Sequence, residues 1–184
     1  MPLSEPGERE LLHLRDIAIR GYRRGDGLFD IEAEIVDTKT YGFTVGLRRV
    51  EPGERLHNML ARITVDEHLT IVAAEAATEF APFENCPGGA ATFGRLAGLS
   101  IRSGFLREAN ARLGGVDGCT HIRELLQQMA TVAFQTSFAL PARQRSDNAS
   151  AARLVNSCYG YAADGPVVKR RWPELYTGPE ATAG

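Results

Sequence analysis

The chain has 184 residues, 43% of them hydrophobic and 24% charged, the make-up of a globular domain and not of a disordered, collagen-like or channel-forming chain. Lys and Arg total 21 against 23 Asp and Glu, a formal net charge of −2, without the cationic excess that sequence-independent phosphate binding draws on. No nucleic-acid partner is expected.

The start of the chain, Met1-Pro-Leu-Ser-Glu-Pro-Gly, lacks the basic and apolar segments of a signal peptide. No apolar run approaches the ~20 residues of a membrane helix. A cytoplasmic protein with reduced thiols and no membrane partner is therefore expected, and the odd count of three cysteines suits metal binding or reactivity better than cross-linking. Residues 1–12 read as a flexible tail, 13–177 as a single α+β domain and 178–184 as a disordered tail.

Leu14–Tyr22 is β-rich, Gly25-Asp-Gly27 is a turn signal, and Phe29-Asp-Ile31-Glu-Ala33-Glu-Ile35 alternates as a half-buried strand does. A hairpin is expected there. Beyond Pro52-Gly53, the residues His57, Met59, Ala61, Ile63 and Val65 share one phase. Asp66-Glu-His68 then turns the chain into a partner strand over Leu69–Ala77. From Pro82 the texture changes to helical periods, so strands precede helices, an order that favours an antiparallel sheet with helices packed on one face. A short helix is expected over Thr92–Ala97, and a second opens at Ser103 and closes at Gly114-Gly115. The strongest starts at Thr120, with Ile122, Leu125, Leu126, Met129 and Ala133 at three-four spacing, and Pro141 stops it. A polar connection over 142–150 leads to a last short helix with Ala151, Leu154, Val155 and Cys158 on one face. Gly165-Pro166 and Trp172-Pro173 suggest an extended terminal segment.

Phase and polarity clash at three positions. Successive strand side chains alternate faces, so Asp37 and Lys39 inherit the inward parity of Phe29–Ile35, and His57 that of Met59–Val65. Inward charge is costly unless paired, ligated or wet; placement at a strand end is the bland alternative. His13 and His68 read as surface residues.

Cys119-Thr-His121 is the densest chemical cluster. Cys119 falls just before the strongest helix, where free N–H groups and the helix dipole favour a thiolate that binds a metal or acts as a nucleophile. Cys86 stands at the strand-to-helix switch and Cys158 on the last apolar stripe. Cys86, Cys119, His121 and Cys158 make the ligand count of a tetrahedral zinc or an iron–sulfur site, with His57 competing for the fourth position. Their spacings are long, and burial in the core is the default for a free cysteine.

Most of the chain resembles a bacterial family of proteins of unknown function, DUF2889. The likeness rests on Gly25-Asp-Gly-Leu-Phe-Asp30, Asp37-Thr-Lys39, Leu56-His-Asn-Met59 and Cys86-Pro87, and on Leu96-Ala-Gly-Leu-Ser-Ile101 with Gly104-Phe105. It continues through Gly118-Cys-Thr-His-Ile122, Glu124-Leu-Leu126 and Ala133-Phe-Gln-Thr136. Asp37, Lys39, His57, Cys86, Cys119 and His121 match the family pattern. The family's usual Thr-Cys-His near the C-terminus is Ser157-Cys158-Tyr159 here, which keeps the thiol and loses the imidazole. A second likeness, in element order alone, is to NifU-type iron–sulfur scaffolds.

Three functions follow as expectations. The first is a metalloenzyme of hydrolase or lyase type, acting on a small carbonyl-containing or aromatic molecule. Zinc, favoured over iron, would be held by Cys86, Cys119 and His121, with Asp37, Lys39 and His57 as base, electrophile or orienter. The second is a zinc or iron–sulfur scaffold that adds Cys158. The third is a non-enzymatic ligand-binding module. No Gly-x-Ser-x-Gly elbow, Walker loop or Gly-x-Gly-x-x-Gly stretch is present, which disfavours serine hydrolases, P-loop nucleotidases and Rossmann dehydrogenases. Oligomeric state stays open.

Overall fold

The computed structural model describes residues 3–138 and 154–179. By internal contacts the chain divides into two compact units, Met1–Ser137 and Phe138–Gly184, so the expected domain span 13–177 runs across both.

In the first unit, four antiparallel strands form one sheet in the order β1 (His13–Arg23), β2 (Phe29–Lys39), β5 (Arg55–Val65) and β6 (Ile71–Phe80). The turn between β1 and β2 places Gly27 at φ 88°, a left-handed conformation open to glycine. A two-stranded hairpin, β3 (Phe43–Val45) and β4 (Arg48–Val50), interrupts β2 and β5. It was missed in the sequence because strands of three residues carry too little alternation to register.

Three helices follow: α1 (Cys86–Ala91), α2 (Phe105–Leu113) and α3 (Thr120–Ser137). This is the expected α+β architecture. The apolar stripe of α3, with Ile122, Leu125, Leu126, Met129 and Ala133 buried, lies on β1, β2 and β5, while α1 packs on β6. Phe29, Ile31, Ala33 and Ile35 of β2, and Met59, Ala61, Ile63 and Val65 of β5, supply the facing core. Their strict alternation carries the hydrophobic stabilisation and fixes the register, since a one-residue slip would turn the whole row outward.

Three helical expectations need correction. The Thr92–Ala97 segment is a 3-10 turn, Thr92–Leu96, preceded by α1, whose Cys-Pro-Gly-Gly start disguised it. The second helix opens at Phe105, behind Gly104 at φ 89°, and not at Ser103. The segment after Gly165-Pro166 is helical, α4 (Pro166–Arg171), because proline at the first helical position suits a helix start.

In the second unit, Val168 and Trp172 form a small core with Leu154, Val155, Tyr161, Leu175 and Tyr176 packed against it. Cys158 is exposed, in extended backbone at the start of a 3-10 turn, Tyr159–Tyr161. The reading of Cys158 as part of a buried helical stripe is thereby overturned; two consecutive bends after Leu154 break the helical period it relied on. The expected connection over 142–150 lies outside the described residues, as do Ala151 and residues 180–184. Among the described residues no helix is long and apolar enough to cross a membrane.

Candidate functional site

The site begins as a row across three neighbouring strands. Arg15 of β1 pairs in register with Asp37 of β2, and Asp37 with His57 of β5. Because Asp37 continues the parity of Phe29, Ile31, Ala33 and Ile35, its side chain points to the α3 side of the sheet and is fully buried. The carboxylate is held from three directions. Arg15 donates from Nε and Nη2, each 2.8 Å from one carboxylate oxygen. His57 Nδ1 stands 2.9 Å from Oδ2, and His13 Nε2 lies 3.3 Å from Oδ1. Three hydrogen-bond donors thus meet the two carboxylate oxygens, with the His13 ring beside them. Arg15 also donates through Nη1 to Glu124 at 2.7 Å, which ties the edge of the sheet to α3.

The second half of the site comes from the start of α3. The Cys119 carbonyl accepts the Arg123 N–H at 3.0 Å, so Cys119 is the residue flanking the helix, and its sulfur meets the N–H groups of His121 and Ile122. Gly89 of α1 is the near neighbour: a Cβ there would stand 3.0 Å from the Cys119 nitrogen, so only glycine lets α1 approach this closely. His121 occupies the first turn of α3. Its Nδ1 lies 3.9 Å from Cys119 Sγ, and its ring stacks on that of His57 with centroids 3.9 Å apart and a 35° tilt. Cys119 Sγ also lies 3.6 Å from Met59 Sδ. Ligand-type atoms of Asp37, His57 and His121 fall within 4.8 Å of one another.

These contacts set the protonation states. Burial pushes the Asp37 carboxyl up, but the Arg15 and His57 contacts outweigh it and hold the group at about 2. Burial and the neighbouring His121 hold His57 below its usual range, against the pull of Asp37. A neutral His57 then donates Nδ1–H to the carboxylate and leaves Nε2 with a free lone pair. Burial raises the Cys119 thiol, yet the His121 contact and the backbone N–H groups of Ile122 and His121 bring it below its ordinary value. His121 is raised in return, first by Cys119.

The Asp37 values fix a pH dependence. A carboxyl depressed from 3.8 to about 2 contributes stability that is present above its unfolded pKa and lost as pH falls through the folded one. The contribution is about 2 kcal/mol. Urea unfolding followed from pH 6 to pH 2 should show this loss below about pH 4, and Asp37→Asn should remove that part of the slope. An identical acid slope in the variant would contradict the assignment.

The structure thus brings together Asp37, His57, Cys119 and His121. The Lys39 Nζ lies over the rings of Tyr41 and Phe43, 5.3 Å and 5.7 Å from their centroids. Cys86 opens α1 and is half-buried; Cys158 belongs to the second unit and is exposed. Sequence reasoning missed Arg15, His13, Glu124 and Met59. Arg15 was within reach: it and Asp37 each lie eleven residues from Asp26 at the turn, so hairpin reflection pairs them. His13 was read as surface, and it is partly exposed, but its ring still reaches Asp37.

An antiparallel sheet whose buried carboxylate row meets a thiol and two imidazoles at the mouth of a long helix defines an α+β protein with a compact polar centre. The chain belongs to the DUF2889 family, described as proteins of unknown function, whose model matches residues 13–135. That span runs from the first residue of β1 nearly to the end of α3 and contains every residue of the centre. No curated protein and no solved structure matches, and the likeness to NifU-type scaffolds is not shown.

Proposed function

We propose that the protein is a metal-dependent enzyme of hydrolase or lyase type, with zinc, or else iron, held by His57, His121 and Cys119. The observation that carries this reading is the grouping of ligand-type atoms of Asp37, His57 and His121 within 4.8 Å of one another, with the Cys119 thiol 3.9 Å from His121 Nδ1. Asp37 is close enough to count as a ligand, but its oxygens are committed to Arg15, His13 and His57. It therefore acts as the outer partner that fixes the His57 tautomer, the arrangement that raises the basicity of a ligating histidine. Two histidines and one cysteine fit zinc, and three protein ligands leave a position for water or substrate. When bound, such an ion polarises a carbonyl and lowers the pKa of its water, chemistry suited to a small carbonyl-containing or aromatic molecule.

Each residue then has a task. Cys119 supplies the anionic ligand, favoured by the helix start. Asp37 aims the His57 ring, while burial, the neighbouring His121 and Arg15 keep it neutral. Lys39, two residues beyond Asp37 on β2, is assigned by this reading as an electrostatic guide for substrate, although its ammonium rests over the rings of Tyr41 and Phe43. Cys86 stands outside this ligand set, and Cys86→Ala should leave metal stoichiometry unchanged; a loss of metal would make it a ligand. Protein purified without an affinity tag should carry zinc or iron, and folding should weaken in chelator. Less than about a tenth of an equivalent, with chelator-insensitive folding, would remove the reading. Cys158→Ala should leave metal content intact; a fall in metal there, with none in activity on His57→Ala, supports the scaffold alternative instead.

The contact between Cys119 Sγ and His121 Nδ1 supports a second, metal-free reading, with Cys119 as nucleophile and His121 as its base. It predicts rapid alkylation of Cys119 by iodoacetamide in protein as isolated, whereas a metal-bound thiolate is protected until chelator is added.

A further inference from the structure

The sulfur contact at the inner end of the site is not used by a zinc centre. Met59 follows His57 by two residues on β5, so both side chains point to the same face of the sheet, and Met59 is buried at 1% exposure. Its Sδ stands 3.6 Å from Cys119 Sγ, which in turn stands 3.9 Å from His121 Nδ1. Donor atoms that share one ion at bond lengths near 2.0–2.3 Å are themselves about 3.5–3.8 Å apart. The thioether is therefore spaced from the thiol as a fellow donor would be.

We propose that the same centre takes copper(I), with the Met59 thioether joining Cys119 and His121 as a third donor. This rests on the metal reading above and adds what selects the metal. Zinc draws on thiolate, imidazole and carboxylate, whereas a thioether is a soft donor that favours copper(I).

The competing explanation is that Met59 merely fills the core, as methionine commonly does. Met59→Leu separates the two, because it conserves volume and apolar packing while deleting the sulfur. Full-length protein stripped of metal would be titrated anaerobically with copper(I) against a chromophoric copper(I) chelator, and in parallel with zinc against a zinc indicator. Met59→Leu should weaken copper(I) binding by about tenfold or more and leave zinc affinity within about twofold. X-ray absorption at the copper edge of the wild-type protein should show two sulfur scatterers, and only one after the substitution. Normal zinc binding with copper(I) affinity unchanged in Met59→Leu, or with both metals weakened equally, overturns the copper assignment while the metal reading stands. Failure of both metals to bind the wild-type protein overturns the metal reading itself.

Discussion

Arg15→Met should lower the unfolding free energy by about 2–3 kcal/mol at pH 7, less than for a wholly buried ion pair because Asp37 is buried but Arg15 is partly exposed. The guanidinium supplies two of the three hydrogen bonds to a carboxylate that is fully buried. Without them Asp37 is a buried charge facing two histidines, and its pKa must rise. Two further results separate this cause from lost packing. The deficit should shrink as pH falls from 7 toward 4, since the variant's Asp37 is then protonated in the folded state while the wild-type carboxyl stays ionised. Replacing both partners, in Arg15→Met with Asp37→Leu, should recover most of the loss, because an apolar pair carries no desolvated charge. Equilibrium urea unfolding of the two variants and the wild type measures all three terms. A double variant as unstable as Arg15→Met alone would mean that the row is held by shape and not by charge compensation.

That row also marks the boundary of what the sequence made legible. The sheet, the helical half and the inward turn of Asp37 and His57 could be read because each rests on period alone: two residues per strand repeat, three to four per helical turn. Asp37 breaks the polarity of an otherwise apolar row, and a buried acid implies a partner. Which partner depends on register across β1 and β2, a non-local property that a turn such as Gly25-Asp-Gly27 fixes only once its geometry is known. Met59 escaped for another reason. A methionine among Ala61, Ile63 and Val65 is indistinguishable in sequence from core filler, and only the 3.6 Å approach of a thiol gives its sulfur a chemical neighbour. The prominence of Cys158 had the opposite origin: a thiol attracts attention by residue type, whereas its surroundings depend on a turn that three-four spacing does not describe.

Zinc affinity should grade across the centre in the order that the geometry assigns. His121→Ala and Cys119→Ala remove direct ligands and should each cost more than the factor of about 10–100 typical of an outer-shell partner. Asp37→Asn should fall inside that range: the amide oxygen still accepts the His57 Nδ1–H, but the negative charge that raises ring basicity is gone. That oxygen also accepts from Arg15 Nη2, while the amide NH2 faces Arg15 Nε and His13, so the ring orientation survives better than in Asp37→Ala. His57→Ala should match the direct-ligand variants, because its Nε2 is the atom left free once Nδ1 is committed to Asp37. Competition against a zinc indicator at pH 7, with the folded state of each variant checked by circular dichroism, gives the four constants. The roles of Asp37 and His57 are the sensitive point: an Asp37→Asn loss as large as that of His121→Ala would make the carboxylate a ligand, and require the ion to displace Arg15 or His13 from it.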